Sequence, residues 1–215
     1  MMFLKRLFAL KNNGSQCTMC SMGGVGSTAL ARHIGSIADK TIREHTFSPS
    51  VYDSFNQIRI GYMVGNPYNS VLSIFRRDYQ QMHVKAMHAN SGTKPANLRS
   101  MSLDEYLERG VDEFFIERQF NNWVNNPDPK HPTIIIRYEL LSENIDQILG
   151  FFECDKPFAV KTRKSSWTDQ PTHIQKGLEA IYGPLHEKIE ALPGIKILMP
   201  KHSIIENKLS ASSAT

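Results

Sequence analysis

Residues 20–28 read CSMGGVGST, three glycines followed by two hydroxyl side chains. Glycines let a backbone come close to a ligand, and successive N–H groups at a helix N-terminus form an electropositive concavity suited to phosphate-type oxygens. The hydroxyls of Ser27 and Thr28 add further donors. A loop that grips the β- and γ-phosphates of ATP carries lysine before its last hydroxyl, and Ser27 stands in that place. Anion binding does not need the lysine, whereas γ-phosphoryl transfer with magnesium leans on it. The stretch therefore reads as an anion seat made by Gly23, Gly24, Val25, Gly26, Ser27 and Thr28.

Other residues of suitable chemistry lie farther along the chain. His45, in REHTF, has the side chain best suited to removing a proton near neutral pH, and Arg43 stands two residues before it. Arg76 and Arg77 follow Ser73 by three and four residues, one helical turn away. Arg163 and Lys164 lie in a late basic turn, KTRKSSW, where the guanidinium offers a fork and the ammonium a point charge. His33, His83, His88 and His131 read as surface or packing residues. Cys17 and Cys20 are three apart in an expected strand, which points them to opposite faces, and Cys154 stands alone. This spacing fits buried, reduced thiols better than a zinc or disulfide framework.

These residues need elements to hold them. Residues 15–21 form a short, partly apolar run before the glycines, and Leu30, Ile34, Ile37 and Ala38 recur at helical spacing after them. Strand, loop and helix is the setting a phosphate seat requires. IRIGYMV (58–64) is a second strand, stopped by Gly65-Asn66-Pro67. Leu72, Phe75, Tyr79, Met82, Ala86 and Ala89 then predict one amphipathic helix. Residues 90–101 form a polar loop, Ser102 and Glu105 a capping box, and residues 111–124 an aromatic helix. TIIIRY (133–138) is a strand buried on both faces. Ser142 caps a helix carrying Ile145, Ile148, Leu149 and Phe152. Pro171 opens a long helix kinked near Gly183-Pro184, and residues 195–198 make a last strand. Strands alternating with helices predict a three-layer α/β/α domain with a mainly parallel sheet.

The chain has 215 residues, 40% of them hydrophobic and 21% charged, which suits one core spanning 15–200. Residues 1–14 read as an extension and 201–215 as a polar tail. A net charge of +4 suits small anions and argues against nucleic acid, because basic residues neither cluster nor interleave with aromatics. Lys5 and Arg6 break the apolar start, and no apolar run reaches spanning length, so no membrane insertion and a cytoplasmic location are expected.

Four pieces, in order, resemble the sulfotransferases that use 3′-phosphoadenosine-5′-phosphosulfate (PAPS). GGVGSTAL is similar to the family's 5′-phosphosulfate loop, IREHTFSP to its catalytic-histidine segment, VGNPYNSVLS to its 3′-phosphate signature, and KTRKSSW to its late basic turn. TIIIRYELL resembles a family strand ending in RYEDL. The resemblance covers residues 15–192 and implies a sulfotransferase-like variant of the P-loop NTPase fold. It implies PAPS as donor, adenosine-3′,5′-bisphosphate as product, no metal, and a small-molecule or glycan acceptor. His45 would be the base and Arg43 would face the sulfuryl group. Asn66, Ser73, Arg76 or Arg77, Arg163 and Lys164 would serve the 3′-phosphate side. Three positions depart from the pattern: Gly24 replaces the loop cation, Ala29 the adenine-stacking tryptophan, and Gly65 the signature arginine. Two alternatives stay open, a P-loop kinase or NTPase-like enzyme with Glu139 at its magnesium, and a catalytically weak nucleotide or anion binder of the same fold.

Overall fold

The computed structural model describes residues 16–35, 41–89, 91–126, 128–160 and 166–201, and for 41–44 the backbone alone. Five strands form one sheet: β1 (Gln16–Ser21), β2 (Thr41–Glu44), β3 (Ile58–Val64), β4 (Thr133–Arg137) and β5 (Ile195–Leu198). Their order is β2-β1-β3-β4-β5. β1 pairs in parallel with β2 and β3, β3 in parallel with β4, and β5 runs antiparallel on β4. The expected α/β class holds, with an open and mainly parallel sheet.

Seven α-helices occur among the described residues: α1 (Ser27–Gly35), α2 (Pro67–Arg76), α3 (Gln80–His88), α4 (Leu103–Glu108), α5 (Ile116–Val124), α6 (Ile145–Phe151) and α7 (Thr172–Glu190). Strand alternation shows that they cover both faces. Tyr62 of β3 stacks on Trp123 of α5, with ring centroids 4.8 Å apart and planes at 10°. Its neighbour Gly61 points the other way, where an added Cβ would stand 2.7 Å from Met19 Cε and 2.9 Å from the ring of Phe152, just after α6. Cys17 and Cys20 follow the same alternation and are buried, with no disulfide. α1 packs on β1 and β2, and α7 packs on α2 and α4. No helix among the described residues is long and apolar enough to cross a membrane.

Several boundaries differ from the sequence expectation. The single helix expected over 72–89 is two helices, broken at Asp78, which adopts φ 54°. The Arg77 and Tyr79 amides both donate to Ile74 O, closing α2 in a tight turn before α3 sets off in a new direction. The aromatic helix starts at Ile116, after Phe115 at φ 55°, rather than at residue 111. Asn144, not Ser142, precedes α6. The capping box holds: Ser102 accepts from the Glu105 amide, and the Glu105 carboxylate accepts from the Ser102 amide at 2.7 Å. Pro184 lies inside α7, which runs unbroken over its 19 residues. β2 was not expected as a strand.

On the side of α7, Tyr182 OH donates to Asp112 Oδ1 at 2.9 Å, and Tyr106 OH lies 2.5 Å from Tyr182 OH. With the Tyr182 proton committed to the carboxylate, the Tyr106 proton bridges the two phenols. Burial raises the Asp112 carboxyl from its ordinary 3.8 to about 6, against the opposing pull of hydrogen bonds from the Glu117 amide and Tyr182.

Candidate functional site

The strand order places the site. From β1 the chain moves outward to β2, then returns past β1 to β3, so the direction of travel reverses between β1 and β3. In open α/β sheets, ligands sit beyond the carboxyl ends of strands at such a reversal. The glycine loop follows β1 and Gly65-Asn66 follows β3, so two sequence-predicted segments meet there.

Gly23, Gly24 and Gly26 adopt φ of 91°, 67° and 74°, a region that side chains with a Cβ rarely occupy. The loop is also packed tightly. A Cβ on Gly24 would stand 2.8 Å from Ser70 O, 2.9 Å from Ser70 Cα and 2.9 Å from Ser73 Cβ, all on α2. A Cβ on Gly26 would meet the Tyr138 ring at 3.0 Å. So the missing loop cation is not a simple exchange of side chains, because position 24 has no room for one. Gly65 is similar: its Cβ would lie 3.1 Å from Glu139 Oε1, Tyr138 Cβ and Val25 Cγ1. An arginine there would displace the residues that follow β4.

The loop's own hydroxyls divide. Ser27 is buried, and its hydroxyl donates to Ser21 Oγ at 2.9 Å, so its proton is directed at β1. A hydroxyl has one proton, and here it ties the start of α1 to the end of β1. Thr28 is partly exposed and Val25 buried. Asn66 caps α2, accepting from the Asn69 amide at 3.0 Å, while its own amide donates to Glu139 Oε1 at 2.7 Å. Glu139 is thus engaged with the backbone that opens α2.

His45 follows β2 and is held by α5. Gln119 Nε2 donates to Thr46 O at 2.7 Å and to Ser21 O at 3.4 Å, and Trp123 Nε1 donates to Thr46 O at 3.2 Å. Asn122 Nδ2 donates to Phe47 O at 3.1 Å, and Tyr62 OH donates to Gln119 Oε1 at 3.2 Å. His45 Nδ1 lies 2.9 Å from Ser21 O. A carbonyl only accepts, so Nδ1 carries the proton and Nε2 bears the lone pair, the state a general base needs. Arg43 lies in β2 opposite Met19, and its side chain is outside the described residues.

On the other flank, Ser73 and Arg76 line a cavity of about 270 Å³ together with Asn69, Leu103, Ser166 and Gln170. Arg76 borders it, whereas Arg77 closes the end of α2. Arg163 and Lys164 lie outside the described residues, but Ser166, which follows that turn, lines the same cavity. A larger cavity of about 410 Å³ lies at the amino ends of β3 and β4, lined by Asp53, Asn121, Asn125, His131 and Thr133. It holds none of the sequence-predicted residues and sits at the opposite end of the strands from the glycine loop. Size is a poorer guide here than topology.

Sequence reasoning missed His83. Its ring packs on Gly23, 5.5 Å from the His45 ring centroid to centroid, and edge-on to Phe114. Burial, with His45 beside it, lowers its pKa to about 3, so the imidazole is neutral at physiological pH. Six buried side-chain atoms among the described residues have no hydrogen-bond partner, and two of them, Ser73 Oγ and His83 Nε2, flank the glycine loop. Leaving such a group unpaired costs about 1–3 kcal/mol, so two at one loop call for an explanation in terms of a ligand. Among the described residues no three His, Cys, Asp or Glu side chains group as a metal site. Compared with protein-family models and with curated proteins, the chain matches none.

Proposed function

We propose that the chain transfers a sulfuryl group from PAPS to a hydroxyl or amine of a small-molecule or glycan acceptor. One observation carries this reading. Ser73, the signature serine, is 2% exposed with its hydroxyl unpartnered among the described residues, between the glycine loop and the cavity bordered by Arg76 and Ser166. A hydroxyl so placed is accounted for by an oxyanion that reaches both sides, and a nucleotide with a 3′-phosphate and a 5′-phosphoanion has that form.

PAPS would supply an activated sulfur whose leaving group is a phosphate oxygen. The chain's residues would do the rest. The amides of the loop ending at Ser27 hold the 5′-phosphoanion, since a first-turn amide has no acceptor within its own helix. Ser73 and Arg76 hold the 3′-phosphate. His45 Nε2 takes the acceptor's proton as its oxygen or nitrogen bonds to sulfur and the bond from sulfur to the bridging phosphate oxygen breaks. Gln119 and Trp123 fix the backbone that aims the imidazole. Positioning and charge neutralisation then carry most of the rate.

Calorimetric titration with adenosine-3′,5′-bisphosphate and with adenosine-5′-monophosphate tests the reading. The bisphosphate should bind at least tenfold more tightly, and Ser73→Ala should erase most of that difference. Equal affinity for the two nucleotides, or tight ATP binding indifferent to a 3′-phosphate, would overturn it. The packing at Gly24 favours a second reading, anion binding without transfer, because position 24 has no room for a cationic side chain. Bisphosphate binding without loss of sulfate from PAPS across a broad acceptor panel would select it.

A further inference from the structure

We propose that His83 is a side-chain hydrogen-bond donor to the anion held by the glycine loop, in the place that the loop's own sequence leaves without a cation. The inference rests on the reading of that loop as a phosphoanion site, and holds whether or not transfer follows. Position 24 cannot carry a side chain, because α2 backbone lies within 2.9 Å of where its Cβ would be. A donor to the loop's ligand must therefore come from another element. At Gly23 one does: the His83 ring lies with Cε1 2.8 Å, Nδ1 3.2 Å and Nε2 3.7 Å from the position a Cβ would take. Only a glycine at 23 lets the imidazole come this close.

The His83 nitrogen also has no other employment among the described residues. Nε2 is buried without a partner among the described residues, and the residue is 6% exposed. Its neighbours are the rings of His45 and Phe114, neither of which offers a carboxylate. A neutral imidazole protonated on Nε2 needs an acceptor, and the oxygens of a bound phosphoanion supply it. Neutrality is no obstacle, since a preorganised N–H in a water-poor site stabilises developing negative charge without a formal cation. The break at Asp78 makes this possible: it ends α2 and lets α3 bring His83 over the loop, with the His83 amide donating to Tyr79 O at 2.8 Å. His83 and Ser73 then approach adjacent glycines from two different helices.

The test uses the full chain with ¹⁵N-labelled histidine. Titration with adenosine-3′,5′-bisphosphate should move the His83 ring nitrogens toward a protonated, hydrogen-bonded Nε2. Adenosine-3′-monophosphate, which lacks the 5′-phosphate, should leave them in place. His83→Leu should weaken bisphosphate binding at least tenfold and leave the 3′-monophosphate within threefold, while His83→Gln, which restores an N–H, should recover most of the loss. Unmoved ring nitrogens with a bound bisphosphate overturn the inference and leave the loop reading intact. So does equal weakening of both ligands in the leucine variant. A wild-type chain that binds neither nucleotide overturns both readings together. The spectra of the wild type decide the matter even where a variant fails to fold.

Discussion

Gly24→Lys is the substitution that the resemblance to the 5′-phosphosulfate loop, with its cation at this position, would recommend, and the geometry says it should fail. Glycine at φ 67° exchanged for any L-residue costs about 1–2 kcal/mol in the left-handed region alone. The new Cβ would then sit 2.8 Å from Ser70 O and 2.9 Å from Ser70 Cα, which are backbone atoms of a helix and cannot rotate aside. Overpacking of this kind adds about 1–3 kcal/mol. The sum is roughly 3 kcal/mol, or about 6–12 °C of melting temperature in a chain of this size. Gly24→Ala should lose nearly as much, because the Cβ causes the clash and not the charge. Gly92→Ala supplies the control: its φ is 73° but nothing lies within 4 Å of its Cβ, so only the backbone cost of about 1 kcal/mol should remain. Thermal and urea unfolding of the three variants separates the two contributions. A Gly24→Lys protein that melts with the wild type would refute the claim that the loop is closed to side chains, and with it the need for a donor from α3.

Ser73→Ala should leave stability unchanged or raise it slightly in the absence of nucleotide, since it removes a buried hydroxyl that has no partner among the described residues; a loss above about 1 kcal/mol in urea melts would show that the hydroxyl is bonded after all. Asp112 has a carboxyl pKa raised to about 6 by burial, so the native state binds its proton more tightly than the unfolded chain does. Stability should then fall by up to about 3 kcal/mol as pH rises from about 4 to 6, and Asp112→Asn should flatten that slope in urea melts across the range. Gln119→Leu strips a donor from Thr46 O and Ser21 O and should destabilise the fold by about 1–3 kcal/mol, with any measured transfer rate falling further as His45 loses its fixed aim.

The setting of the glycine loop was legible, because an apolar run before the glycines and a helical stripe after them mark a strand and a helix, and the strand order puts the loop at a reversal of direction. β2 was not legible: four residues reading TIRE carry neither an apolar run nor strict alternation. The break in the helix after Phe75 was hidden because the apolar period continues through Tyr79 and Met82, and a left-handed aspartate leaves no mark in sequence. Tyr79 and Met82 prove to be exposed, so part of that stripe faced outward. His83 was invisible for the same reason, since its burial depends on the direction α3 takes after the break. The bonds that Ser27 makes to Ser21 and Asn66 makes to the start of α2 were not legible either, because hydroxyl and amide side chains suit caps and ligands alike.

Cys17, Cys20 and Cys154 are all buried and unbridged, and alternation along β1 puts the first two on opposite sides of the sheet. A thiol reagent added to the native protein should therefore react no faster than the fold opens to admit it. Burial also lifts the Cys17 thiol above its ordinary pKa, so its reactive thiolate is scarce while the fold is closed. The molecule thus carries built-in clocks for breathing on each side of its central layer, readable by mass spectrometry without adding a probe to the sequence.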